Sequence, residues 1–135
     1  MSIGSFVFML HSHLPYYRKA GMWPFGEECL YECMAETYVP LLNAISELYD
    51  EGIKAKLTVG ITPILAEQLA DEHLQHGFVE YIDSRIKAVS EDLERYPDPK
   101  VAHSQHLKYL AKYYFDWYNR IKDLFINKFN KDLIA

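Results

Sequence analysis

The spacing of apolar residues changes character several times along the chain, and each change marks an element. Phe6-Val7-Phe8-Met9-Leu10 is a continuous apolar run. Its length and its Val and Phe content predict a strand over residues 3–10, buried on both faces as in a parallel sheet. Leu30, Tyr31, Met34, Tyr38, Leu41, Leu42, Ile45 and Leu48 then recur at spacings of three and four. That period predicts a helix from about Glu27 to Tyr49 with one apolar stripe. Glu27, Glu28 and Glu32 suit its N-terminal turns through the macrodipole. Pro40 lies inside the pattern, where it either kinks the helix or starts a second one. Gly52 is the expected C-cap. Leu57, Val59 and Ile61 alternate within a second strand, Lys56 to Ile61. Strand, helix and strand in this order make a βαβ unit, which calls for parallel strands and a right-handed crossover. Thr62-Pro63 reads as N-cap and first helical residue of a short helix through about Ala70. Leu74, Phe78, Ile82, Ile86, Val89 and Leu93 place a longer helix over Glu72 to Arg95. Tyr96-Pro97-Asp98-Pro99 is a rigid break. Leu107, Leu110, Tyr114, Trp117, Ile121, Leu124 and Phe125 define a last helix from about Val101 to Phe129.

The fold class is therefore α/β, with two parallel strands and several long helices. Two strands do not make a sheet that can be covered on both faces. The expectation is that these residues are the front end of a longer domain. The 135 residues are 50% hydrophobic, enough for one core of ordinary domain size. The formal net charge is −5, and the basic residues are scattered along predicted helices. This is not the clustered Lys and Arg footprint of a nucleic-acid binder. The N-terminus lacks the pattern of a signal peptide, and no apolar run approaches the ~20 residues that span a bilayer. Cys29 and Cys33, the only cysteines, fall a turn apart on one helix, where a disulfide is strained. They read as free buried thiols in a reducing, cytoplasmic setting.

Candidate chemistry gathers at the end of the first strand, in His11-Ser12-His13-Leu14-Pro15-Tyr16-Tyr17. A strand that ends in ionisable residues has its tip at a site, since α/β sheets bind ligands at their carboxyl ends. His11 and His13 are two apart, so an extended backbone points both to one side. Such a pair can ligate a metal, donate hydrogen bonds to a polar substrate, or act as acid and base, and spacing alone does not choose. The loop 11–26 carries Tyr16, Tyr17, Trp23 and Phe25, and long loops in compact domains are usually functional. Trp23, between flexible and rigid residues, is the candidate for stacking on a sugar face. Phe25 and one tyrosine are expected to pin the loop to the core. Arg18 and Lys19 read as solvated, and the carboxylate pairs Glu27 with Glu28, Glu32 with Glu36, and Asp71 with Glu72 read as solvated faces and helix caps. Glu67, one turn beyond the second strand, can overlook the site. His73, His76, His103 and His106 read as surface histidines.

With His11-Ser12-His13-Leu14-Pro15-Tyr16 followed by Gly21-Met22-Trp23-Pro24-Phe25-Gly26-Glu27-Glu28, the chain resembles glycoside hydrolase family 57. Within it, Ala35-Glu36-Thr37-Tyr38-Val39-Pro40-Leu41-Leu42 and Leu57-Thr58-Val59-Gly60-Ile61-Thr62-Pro63 look like the branch of 1,4-α-glucan branching enzymes and α-amylases. The resemblance implies the first βα units of a (β/α)7 barrel acting on α-glucans such as amylose and glycogen, with no cofactor. It implies retaining chemistry by a Glu nucleophile on the fourth strand and an Asp acid/base on the seventh. The chain reaches the second strand, so the resemblance transfers no catalytic residue. It transfers His11 and His13 as substrate-binding or site-shaping residues and Trp23 as a glucan-stacking aromatic. Isolated, the chain is expected to be inactive and to self-associate through open sheet faces. Two other readings of the residues remain: a metal-dependent hydrolase with His11 and His13 as ligands, and a non-enzymatic helical interaction module.

Overall fold

A computed structural model describes residues 3–96 and 103–134. Strand β1 is Phe8–Ser12, helix α1 is Glu27–Cys33, a π-helical turn occupies Met34–Tyr38, and α2 is Val39–Asp50. Strand β2, Leu57–Ile61, precedes α3, Pro63–Ala70, and α4, Glu72–Arg95. Helix α5 is Ser104–Asp123, closed by a second π-helical turn at Leu124–Lys128. The start of the last helix at Val101 and the Pro97-Asp98-Pro99 break lie outside the described residues.

The strands pair in parallel, Phe8 opposite Leu57 through Ser12 opposite Ile61. This is the βαβ arrangement read from the sequence. Among the described residues the sheet has these two strands. Two expectations for β1 are corrected. The strand starts at Phe8, not at residue 3, because the ladder with β2 begins there. It is also not buried on both faces: Val7, Phe8 and Met9 are exposed, and Phe6 is 88% exposed. The cause is missing cover. One face meets α2 and α3, where Ser12, Val59 and Ile61 join Leu41, Leu42, Ile45 and Leu65 around an apolar cavity of about 170 Å³. Alternation puts Met9, His11, Thr58 and Gly60 on the other face.

Pro40 lies in the first turn of a second helix, α2, one of the two expected outcomes, and the π-helical turn joins that helix to α1. Pro40 has no N–H to give to the carbonyl of Glu36. The helix absorbs this by widening, and the N–H of Val39 reaches the carbonyl of Met34, five residues back. Gly52 ends α2 as expected, with φ +73°, its N–H donating to Tyr49 and that of Ile53 to Leu48. The core is made by the helices. Leu30, Tyr31 and Met34 pack on Leu74, Phe78 and Ile82 of α4 and on Ile121 and Phe125. Each such side chain contributes about 1.5–3 kcal/mol of burial. Phe78 and Phe125 meet edge to face at 4.8 Å.

Candidate functional site

The site is built where β1 and β2 end. His11 faces Gly60, and a Cβ placed on that glycine would stand 3.4 Å from His11 Nδ1. His13 follows β1 by one residue. Both histidines are exposed.

The chain leaving His13 is fixed by a residue that the sequence pattern did not single out. Gln68 of α3 is 1% exposed, and its amide holds both edges of the backbone beside it. Its Oε1 accepts from the N–H of Tyr17 at 2.6 Å, and its Nε2 donates to the carbonyl of Pro15 at 3.0 Å. Leu65, Gln68 and Leu69 share the buried side of α3, so a polar residue at an apolar helical position was the signal available. Arg18, expected to be solvated, instead pairs with Asp71 at 2.6 Å. Asp71 also caps α4 by accepting from Leu74 N–H. Burial tends to raise the Asp71 pKa, but the Leu74 amide and Arg18 outweigh it and hold the carboxyl below its usual range.

The aromatic loop then projects from a closed neck. Glu27 N–H donates to the carbonyl of Gly21 at 2.8 Å, and Glu28 N–H to that of Met22. A Cβ on Gly26 would stand 2.6 Å from Gly21 C and 2.9 Å from Met22 O, so only glycine lets the two sides meet. Beyond the neck, Trp23 is 78% and Phe25 82% exposed. Phe25 therefore does not pin the loop to the core; the neck does that through the backbone. Tyr17 is the aromatic packed on the core, and Tyr16 is exposed.

Glu27 is also corrected, from a solvated helix start to a buried carboxylate, 8% exposed. It takes three donors: Lys19 N–H at 2.7 Å, Tyr31 Oη at 3.0 Å, and His73 Nε2 at 3.3 Å. Burial opposes its charge, yet these donors win and its pKa is lowered. Lys19 sits at φ +62°, a conformation that costs a non-glycine residue, and its amide is the one Glu27 binds. Tyr31 reaches Glu27 past Gly77 of α4, where a side chain would overlap the Tyr31 hydroxyl. Burial and the Glu27 charge push the Tyr31 pKa well up. Glu28, likewise read as solvated, pairs with Arg85.

The remaining candidates stay apart. His103 and His106 are exposed, and so is Glu67, near Arg18 and Asp71. His76 contacts the carbonyl of Glu72. Cys29 and Cys33 are free thiols but half-buried, not buried. Burial raises the pKa of Cys33. Among the described residues, no three His, Cys, Asp or Glu side chains come together as a metal would require, so His11 and His13 gain no third ligand. No helix among them is long and apolar enough to cross a membrane.

What remains is a histidine-bearing strand tip and, further along the chain, a loop closed at its neck that exposes Trp23 and Phe25, and comparison with known proteins gives the chain a family. The family model of Glycosyl hydrolase family 57 matches residues 7–134. The chain belongs to glycosyl hydrolase family 57. This family 57 chain is 45% identical over 114 residues to a 1,4-alpha-glucan branching enzyme of Thermococcus kodakarensis, 84% of this chain and 17% of that protein. The crystal structure of the family 57 branching enzyme from that organism, in complex with glucose and additives, superposes with a TM-score of 0.81 at 38% identity, covering 94% of this chain and 22% of the other. The branching enzyme of Pyrococcus horikoshii gives 0.73 at 42%, covering 93% and 23%. The α-amylase AmyC of Thermotoga maritima gives 0.73 at 28%, covering 90% and 22%. The chain thus spans about a fifth of the length of these relatives. His11, His13 and Trp23 all lie within the matched segment.

Proposed function

We propose that this family 57 chain forms the first two βα units of a (β/α)7 catalytic barrel and supplies one wall of an α-glucan subsite. The activity it serves is 1,4-α-glucan branching, the reaction in the names of the branching-enzyme relatives described above. What supports this reading is His11, opposite Gly60 at the strand tips, followed along the chain by a loop that is closed at its neck and leaves Trp23 and Phe25 exposed. Imidazoles donate and accept hydrogen bonds with glucose hydroxyls. Aromatic faces cover the apolar side of the pyranose ring.

Retaining transfer needs two carboxyl groups about 5 to 5.5 Å apart, one attacking the anomeric carbon and one protonating the leaving oxygen. In branching, a glucan hydroxyl then takes the glycosyl group in place of water. The resemblance assigns those carboxyls to the fourth and seventh strands, so this chain binds and orients but does not cleave. The exposed sheet face and outer strand edges fit docking by the remaining βα units.

Titration of the chain with maltoheptaose, followed by NMR, tests the subsite. Saturable binding near a dissociation constant of about 1 mM, worth about 4 kcal/mol, is expected. His11→Ala and Trp23→Ala should each weaken it about tenfold. No binding at about 10 mM sugar would sink the proposal. Iodine staining of amylose incubated with the chain should not change, and branching by the chain alone would refute the division of labour.

A further inference from the structure

Glu27 is better built than a helix start requires. Its carboxylate is buried and takes three donors from three segments: the loop at Lys19, α1 at Tyr31 and α4 at His73. Its own backbone N–H closes the loop neck on Gly21. One residue therefore ties both ends of the stretch 19–27, and Trp23 stands midway. Lys19 is held in a left-handed conformation that its side chain disfavours, which shows that the tie opposes a real local cost. We infer that Glu27 is a positioning residue for the glucan subsite: it fixes Trp23 by clamping the Lys19 amide, so that the indole is presented already ordered to the apolar face of an α-1,4-linked glucose unit. The inference rests on the glucan reading above for the ligand, but not for the clamp. Ordering the loop before binding raises affinity, because the ligand does not have to immobilise it.

The test uses the full chain with Trp117→Phe, which leaves Trp23 as the sole tryptophan, since the sequence has two. Time-resolved anisotropy then reads the fast motion of the indole alone. In Glu27→Ala the amplitude of the sub-nanosecond component should rise about twofold, and maltoheptaose affinity should fall about fivefold or more. Glu27→Gln should restore both to within about twofold of the parent, because an amide oxygen still accepts from Lys19 N–H. Unchanged indole motion in Glu27→Ala overturns the clamp. Should Glu27→Ala fail to fold, amide exchange in the unsubstituted chain decides. Lys19 N–H should exchange at least about tenfold more slowly than an unprotected amide, and exchange at the unprotected rate overturns the clamp. A mobile Trp23 in Glu27→Ala together with no maltoheptaose binding by the parent supports the clamp and refutes the glucan reading. Maltoheptaose binding with an unprotected Lys19 amide does the reverse.

Discussion

Replacing Gly77 by alanine should destabilise the chain, although the usual effect of this change in a helix is the opposite. Gly77 lies inside α4, and a glycine there costs about 0.8–1 kcal/mol relative to alanine. Helix propensity alone therefore predicts stabilisation by that amount. The added methyl, however, would overlap the Tyr31 hydroxyl and stand 2.8 Å from its Cζ. Tyr31 is fully buried, with Phe78 and Tyr81 ring centroids at 6.2 and 5.7 Å, so the ring has no free direction in which to yield. Overpacking of this kind costs about 1–3 kcal/mol. Moving the hydroxyl also breaks its bond to the buried Glu27 carboxylate, worth about 1.5–3 kcal/mol because one partner is charged. Taken against the propensity gain, the net loss is about 1.5–5 kcal/mol. Urea denaturation followed by circular dichroism measures it, with the slope m unchanged. Tyr31→Phe supplies the control, since it removes the hydroxyl oxygen, the nearest of the atoms that the methyl meets. Gly77→Ala should cost at least about 1 kcal/mol less in that background than in the parent. A higher midpoint in Gly77→Ala, or strict additivity in the pair, would refute the claim that Gly77 exists to admit Tyr31.

Three further outcomes follow from the same contacts. Gln68→Leu strands the Tyr17 amide and the Pro15 carbonyl, at about 1–3 kcal/mol each, and should lower the melting temperature by about 5 °C or more; a change under about 1 °C would show that the amide holds nothing. Glu27 has a folded pKa below the 4.5 of an unperturbed carboxylate, so its charge adds stability above that pH and loses it as pH falls through the lowered value. The stability difference between the parent and Glu27→Gln, measured by denaturation from about pH 7 to about pH 3, should therefore shrink toward acid, and a difference that grows would reverse the sign. The exposed Phe6, Val7, Phe8 and Met9 should drive concentration-dependent association in sedimentation at about 100 μM, relieved by Phe6→Lys with Phe8→Lys; a monomer in the parent would contradict it.

Periodicity located the helices well because each buries a stripe against another helix of the same chain. It located β1 poorly because hydrophobicity marks what a strand is suited to bury, whereas the ladder marks what it pairs with. The expected strand includes residues 3–7, but the ladder with β2 begins at Phe8 opposite Leu57. At the site, His11 and Trp23 were visible as chemistry-bearing types in an informative place. Glu27, Gln68 and Arg18 were not, since a carboxylate near a helix N-terminus and a charged loop residue normally face water. Their roles come from contacts 46 to 53 residues away in sequence, His73 to Glu27, Gln68 to Tyr17 and Arg18 to Asp71, which no local pattern encodes.

The open sheet and the closed loop differ in what each needs from beyond the described elements. Phe8 and Met9 lie on opposite faces of a two-stranded sheet, and both are exposed among the described residues. Trp23 is more exposed than either, but its loop is tied back to the helices: the Gly21–Glu27 neck and the Glu27 clamp to α1, and the Gln68 bridge to α3. A strand tip held only by its sheet would move whenever the sheet breathed. Tying the segment after His13 to α3, and the loop to α1 and α4, instead anchors it to the helical core, where Tyr31 and Phe78 are fully buried. On the proposed reading, the glucan wall is therefore formed before any catalytic carboxylate is brought to it. The binding of sugar and the chemistry on sugar then become separable properties of this fold, one carried by these helices and the other by the strands that complete the barrel.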